Sequence, residues 1–109
     1  MQKRSKLLYT PTATNDIEEL FSYISEDSID SALKLLDNID DSIRKLLEFP
    51  YMGSMLSEDD YSLVNSGYRF IVVHLYLVFY RVINQDIIIH RVLHGRRDYL
   101  RELFMTCKK

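Results

Sequence analysis

Cysteine, proline, glycine and tryptophan are all scarce: one, two, three and none in 109 residues. The single cysteine, Cys107, can close no intrachain disulfide, and no metal-ligand spacing surrounds it. A disulfide-stapled scaffold and a zinc module are therefore excluded, and no metal or other cofactor is expected. There is no low-complexity tract and no internal repeat. The longest apolar stretch is interrupted by His74 and Arg81 and is too short to span a bilayer. The basic start (Lys3, Arg4, Lys6) lacks the apolar run of a signal peptide, so a cytoplasmic location is expected. A chain of this length supports one core, and a single domain over residues 1–109 is expected.

Charge is divided unevenly. From Pro11 to Leu63, thirteen carboxylates face only Lys34, Arg44 and Lys45. From Val64 onward, eight Lys and Arg face only Asp86, Asp98 and Glu102. The net charge of −2 thus conceals an acidic first half and a basic second half. The acids read as the solvated face of helices. The basic half points to a nucleic-acid or acidic-protein partner.

The hydrophobic spacing supplies the elements. Residues 6–10 read as a strand that ends before Pro11, a residue suited to the first turn of a helix. Ile17, Leu20, Phe21 and Ile24 recur at helical spacing. Asp16, Glu18 and Glu19 lie toward that helix's N-terminal end, where its dipole favours negative charge. Ser28 is a cap for a second helix with the stripe Ala32, Leu36, Ile39, Ile43, Leu46 and Leu47. Two stripes joined by so short a link indicate an antiparallel helical hairpin. Phe49-Pro50-Tyr51-Met52-Gly53 stops the second helix. Residues 54–66 read as a surface loop. Strands follow over 68–73, 76–82 and 87–93, the first two joined tightly through His74 and Leu75. A short helix is expected over 98–105. The expected class is α+β: an N-terminal strand, a helical hairpin and a three-stranded antiparallel meander completing one antiparallel sheet, with a terminal helix.

All three histidines, His74, His90 and His94, fall in the last third of the chain beside most of the positive charge, a combination suited to phosphate. Gly95 breaks the last strand, so His94, Arg96 and Arg97 sit where a loop leaves a rigid strand, the usual place for function. Arg69 reads either as a site residue or as an ion-pair partner of the acidic helices. Arg91 alternates with Ile89 and Leu93, and reads as a buried structural pair or a site residue. Arg81 and His90 read as edge or solvent-facing groups, and Tyr68, Tyr76 and Tyr80 as sheet packing.

Tyr9-Thr10-Pro11, the helix pair, Phe49-Pro50-x-x-Gly53, Gly67-Tyr68-Arg69, Tyr76-Leu77-Val78-Phe79-Tyr80-Arg81-Val82 and the run from Arg91 to Tyr99 occur in this order. Together they resemble the RelE/ParE superfamily of toxins from bacterial type II toxin–antitoxin systems. The resemblance spans nearly the whole chain. It implies a small growth-inhibiting toxin silenced by a cognate antitoxin. It also implies that the toxin–antitoxin complex binds operator DNA through the antitoxin.

The superfamily has two known activities. One branch cleaves mRNA in the ribosomal A site, and the other inhibits DNA gyrase without nuclease activity. Ribosome-dependent mRNA cleavage is the activity expected here, with gyrase inhibition as the alternative. A degenerate toxin that only binds its antitoxin is a third reading. The resemblance implies Arg69, Arg97 and Tyr99 as catalytic; the residues themselves add His94 as a further catalytic group, with Arg91 and Arg96 expected to bind substrate. Arg69 and Arg97 would hold the phosphate through paired charge-assisted hydrogen bonds, and His94 would move protons near neutral pH. Two positions depart from the mRNA-cleaving pattern: Ile71 stands where a second lysine can occur, and Leu77 where an arginine would face the scissile phosphate.

Overall fold

The computed structural model describes residues 5–55 and 67–95. The helix expected over 98–105, together with Arg96, Arg97 and Tyr99, lies outside the described residues. The chain runs β1 (Leu7–Tyr9), α1 (Pro11–Ser25), α2 (Ile29–Lys45), β2 (Ser54–Met55), β3 (Arg69–Val73), β4 (Tyr76–Ile83) and β5 (Asp86–His94). The sheet order is β1-β5-β4-β3-β2. The hairpin of helices therefore carries the chain from one sheet edge to the other, and the meander brings it back. On its return β5 lies parallel to β1, with Leu7 opposite Ile87. The sheet is thus mixed, where an antiparallel one was expected. The loop expected over 54–66 is corrected at its start: Ser54 and Met55 form β2, with Ser54 opposite Phe70.

Local chemistry starts and stops the helices. The Thr10 hydroxyl accepts from Ala13 N (3.0 Å), capping α1 with Pro11 in its first turn. The same hydroxyl donates to His90 O (3.0 Å), so one side chain both opens the helix and ties it to β5. Ser28 Oγ accepts from Ser31 N (3.1 Å) and opens α2.

The core lies between the helices and one face of the sheet. Leu20, Leu35, Ile39, Ile43 and Leu46 meet Ile71, Val73, Tyr76, Val78, Tyr80, Ile87, Ile89 and Val92. Leu36 and Leu47, read from sequence as part of the stripe, are partly buried at its margin, and Leu35 takes the central place. On the other face Phe79 and Leu93 are buried against Tyr68, Phe70 and Leu77.

Two turns set the meander. His74 adopts φ 56°, which closes β3 onto β4 without glycine. Asn84 and Gln85 adopt φ 52° and 73°, the left-handed pair that matches strand twist in a two-residue hairpin. Between them is an irregularity: Phe79 faces Arg91 while Tyr80 faces Ile89, so His90 is the extra residue of a β-bulge. The bulge breaks the alternation expected along β5. Ile89 joins the helix-side core, whereas Leu93 joins the cluster on the opposite face.

Candidate functional site

The arginines of the described sheet are committed to neighbours. Arg69 Nη1 donates to Gly53 O (2.8 Å) and Tyr51 O (3.3 Å), and its guanidinium lies 5.0 Å over the Tyr51 ring. It thereby pins the turn that follows α2, against which Tyr80 also works. The buried Tyr80 hydroxyl donates to Pro50 O (2.8 Å) and accepts from Gly53 N (3.0 Å). Burial is the main reason its pKa lies above the ordinary phenol value.

Arg91, expected to bind substrate, is held by Asp16 on α1 in a two-point ion pair. Asp16 in turn is buried and accepts from Val92 N. It was expected among acids favoured by the helix dipole. No acidic residue occupies the first turn of α1, and Asp16 points at β5 instead. The helical period carried the signal: Asp16 stands three residues after Ala13 and four before Leu20, both buried, so it shares their face.

His94 does not converge with Arg69. Arg69 faces Tyr80 across β4 and His94 faces Tyr76, positions 80 and 76, four residues apart. At about 3.3 Å per residue that is roughly 13 Å along the sheet. The two also lie on opposite sides of β4, on β3 and β5. His94 is half-buried with its ring edge-on to Tyr76, centroids 5.3 Å apart. Of the positions that depart from the mRNA-cleaving pattern, Ile71 is in the helix-side core and Leu77 in the opposite cluster. Arg96, Arg97 and Tyr99 lie outside the described residues.

One grouping was not read from sequence. Arg81 Nε donates to His90 Nε2 (3.2 Å), Arg81 lies 5.1 Å over the Tyr68 ring, and Tyr68 meets His90 edge-on at 4.9 Å. Burial first, and the Arg81 charge second, hold the His90 pKa below 6.5. The neutral ring can then accept from Arg81. Only the bulge places His90 here, and no local sequence pattern announces it. Among the described residues no cluster of three His, Cys, Asp or Glu side chains could hold a metal ion. No described helix is long and apolar enough to cross a membrane.

Comparison with known proteins agrees with this architecture. The family described as the ParE toxin of type II toxin-antitoxin system, parDE, matches residues 7–99. A solved structure of the chromosomal ParDE TA system from P. aeruginosa is similar at TM-score 0.66, with 21% identity over 84% of this chain and 96% of that one. At that identity the likeness is one of fold. No curated protein matches the chain in sequence.

Proposed function

This chain belongs to the ParE toxin family of type II toxin–antitoxin systems, and on that premise we propose that it arrests growth as a non-nucleolytic inhibitor of DNA gyrase. The observation that carries this reading is the separation of Arg69 from His94. A nuclease needs its phosphate-holding and proton-transfer groups around one scissile bond, within hydrogen-bond reach of the atoms that react. Here the two lie at different ends of the meander, and Arg69 is occupied by the carbonyls of Tyr51 and Gly53. An inhibitor that acts by binding needs a surface and no such convergence. The ribosome-dependent mRNA cleavage expected from the sequence has no assembled group in support among the described residues.

Membership of the family implies a cognate antitoxin. We take its neutralising segment to be acidic and amphipathic, folding as it binds, because the second half of the chain is basic. The described sheet is less basic than the residue count suggests, since Asp16 neutralises Arg91. A stable complex should bury more than about 1,000 Å². The decisive experiment runs the purified chain in a gyrase supercoiling assay beside mRNA cleavage on programmed ribosomes. Loss of supercoiling without cleavage is the expected outcome. Cleavage without an effect on gyrase overturns the proposal.

A further inference from the structure

A groove of about 390 Å³ opens where the helices meet the β3–β4 turn. Ile24, Leu35, Leu75 and Tyr76 form its apolar walls; Lys34, Asn38 and His74 supply its main polar groups. Its size falls within the range of about 300–1,000 Å³ usual for ligand sites.

Three features distinguish it from an ordinary surface dent. Leu75 is 65% exposed yet held in place. Its carbonyl accepts from Gly95 N (2.7 Å), and Asn38 Nδ2 donates to the ring of the preceding His74 (2.8 Å). His74 takes a left-handed φ of 56° to make this turn, a conformation that disfavours residues with a side chain. Burial gives no return for fixing Leu75 there, so what it gains is a preorganised apolar surface. Charge is the third feature. Residues 11–45 carry nine carboxylates, yet none lines the groove, and Lys34 does. Of the other bases in that stretch, Arg44 is paired with Asp40 (2.7 Å). Among the described residues Lys34 makes no ion pair.

We infer that this groove docks a segment of a partner protein that presents a large apolar side chain with a carboxylate within one helical turn of it. The apolar group would lie against Leu35, Leu75 and Tyr76. The carboxylate would meet Lys34. This rests on the reading of the chain as a toxin with protein partners. It adds the place and chemistry of one contact.

The test is a titration of the ¹⁵N-labelled full chain, followed by backbone amide shifts, with the peptide Leu-Leu-Ala-Ala-Glu, acetylated at its N-terminus and amidated at its C-terminus, as probe. Its Gln-ended counterpart and free hexanoate are titrated in parallel. The expected result is shifts centred on Lys34, Asn38, His74 and Leu75, with the Gln peptide and hexanoate each weaker by about tenfold or more, as befits loss of a charge-assisted bond or of the peptide's apolar contacts. Lys34→Glu and Leu75→Asp should lose binding, and Lys34→Arg should keep it. Should Leu75→Asp fail to fold, Leu75→Ser carries the same expectation. Equal binding of the Gln peptide, equal binding of hexanoate, shifts elsewhere or no shifts would each overturn the inference. The titration reads the groove alone and the supercoiling assay reads the proposed target, so either can fail without the other.

Discussion

Arg91 grips Asp16 through two parallel hydrogen bonds, Nε to Oδ2 at 2.8 Å and Nη2 to Oδ1 at 3.0 Å, while Val92 N–H donates to the same Oδ2 at 3.0 Å. The position explains the pair. β1 accompanies β5 only as far as Tyr9 opposite Ile89, and Thr10 then turns into α1. Beyond that point the edge of β5 has lost its neighbouring strand, and the Asp16 carboxylate takes the strand's place. Removing it leaves the buried Val92 N–H without this acceptor and takes its two-point partner from the part-buried Arg91 guanidinium. Asp16→Ala should therefore lose about 1–3 kcal/mol of stability in urea unfolding. The double variant with Arg91→Ala should lose less than the sum of the singles, by roughly 0.5–3 kcal/mol. Strict additivity would show that the pair is incidental.

Arg69 is the residue on which the structural and catalytic readings differ most sharply. If its work is to hold the Tyr51 and Gly53 carbonyls, Arg69→Ala costs about 1–3 kcal/mol and leaves gyrase inhibition intact at temperatures where the variant is folded. Gly53→Ala tests the same turn from the other side. A Cβ there would lie 2.6 Å from the Tyr80 hydroxyl and 2.8 Å from Phe70 O. Something must move, at a cost of roughly 1–3 kcal/mol. Calorimetry of both variants beside the supercoiling assay separates the readings. A fully stable but inactive Arg69→Ala would return Arg69 to the site.

The fold was legible where periodicity and capping act over a few residues. Ser28 and Pro11 mark helix starts, and β-branched runs mark the three long strands. What stayed hidden depends on contacts distant in sequence. The parallel pairing of β1 with β5 joins residues some eighty positions apart. The two-residue β2 is too short for a pattern. The site was less legible because a list of arginines does not say which are already occupied. Arg69 and Arg91 look alike in sequence, yet one holds carbonyls and the other a buried carboxylate. The bulge at His90 shifts the faces of β5, and no residue type marks it.

The α2 stripe offers a sharper test than a single truncation. Ile39 is 2% exposed and central, whereas Leu36 lies at the margin of the core. Ile39→Ala should cost about 2–5 kcal/mol, a large share of the stability of a domain this size. Leu36→Ala should cost clearly less, and Leu35→Ala more than Leu36→Ala. Urea midpoints at constant m-value give the ranking. Equal losses at Leu35 and Leu36 would mean that the helix is rotated relative to the packing described.

His90 should make stability depend on pH in a predictable direction. Burial and the neighbouring Arg81 depress its pKa below 6.5 in the folded chain. Below about pH 6.5 the unfolded chain therefore binds a proton that the folded chain resists, and stability falls with pH until the depressed value is passed. Protonation also removes the acceptor that Arg81 Nε uses at 3.2 Å and sets two cations side by side. The wild type should lose more of its urea midpoint between pH 7.5 and pH 5.5 than His90→Gln does, because glutamine keeps a neutral polar group without a titration. Carboxylates elsewhere titrate equally in both proteins, so the difference between them isolates His90. Parallel pH profiles for the two would show that the Arg81–His90 contact does not persist in solution.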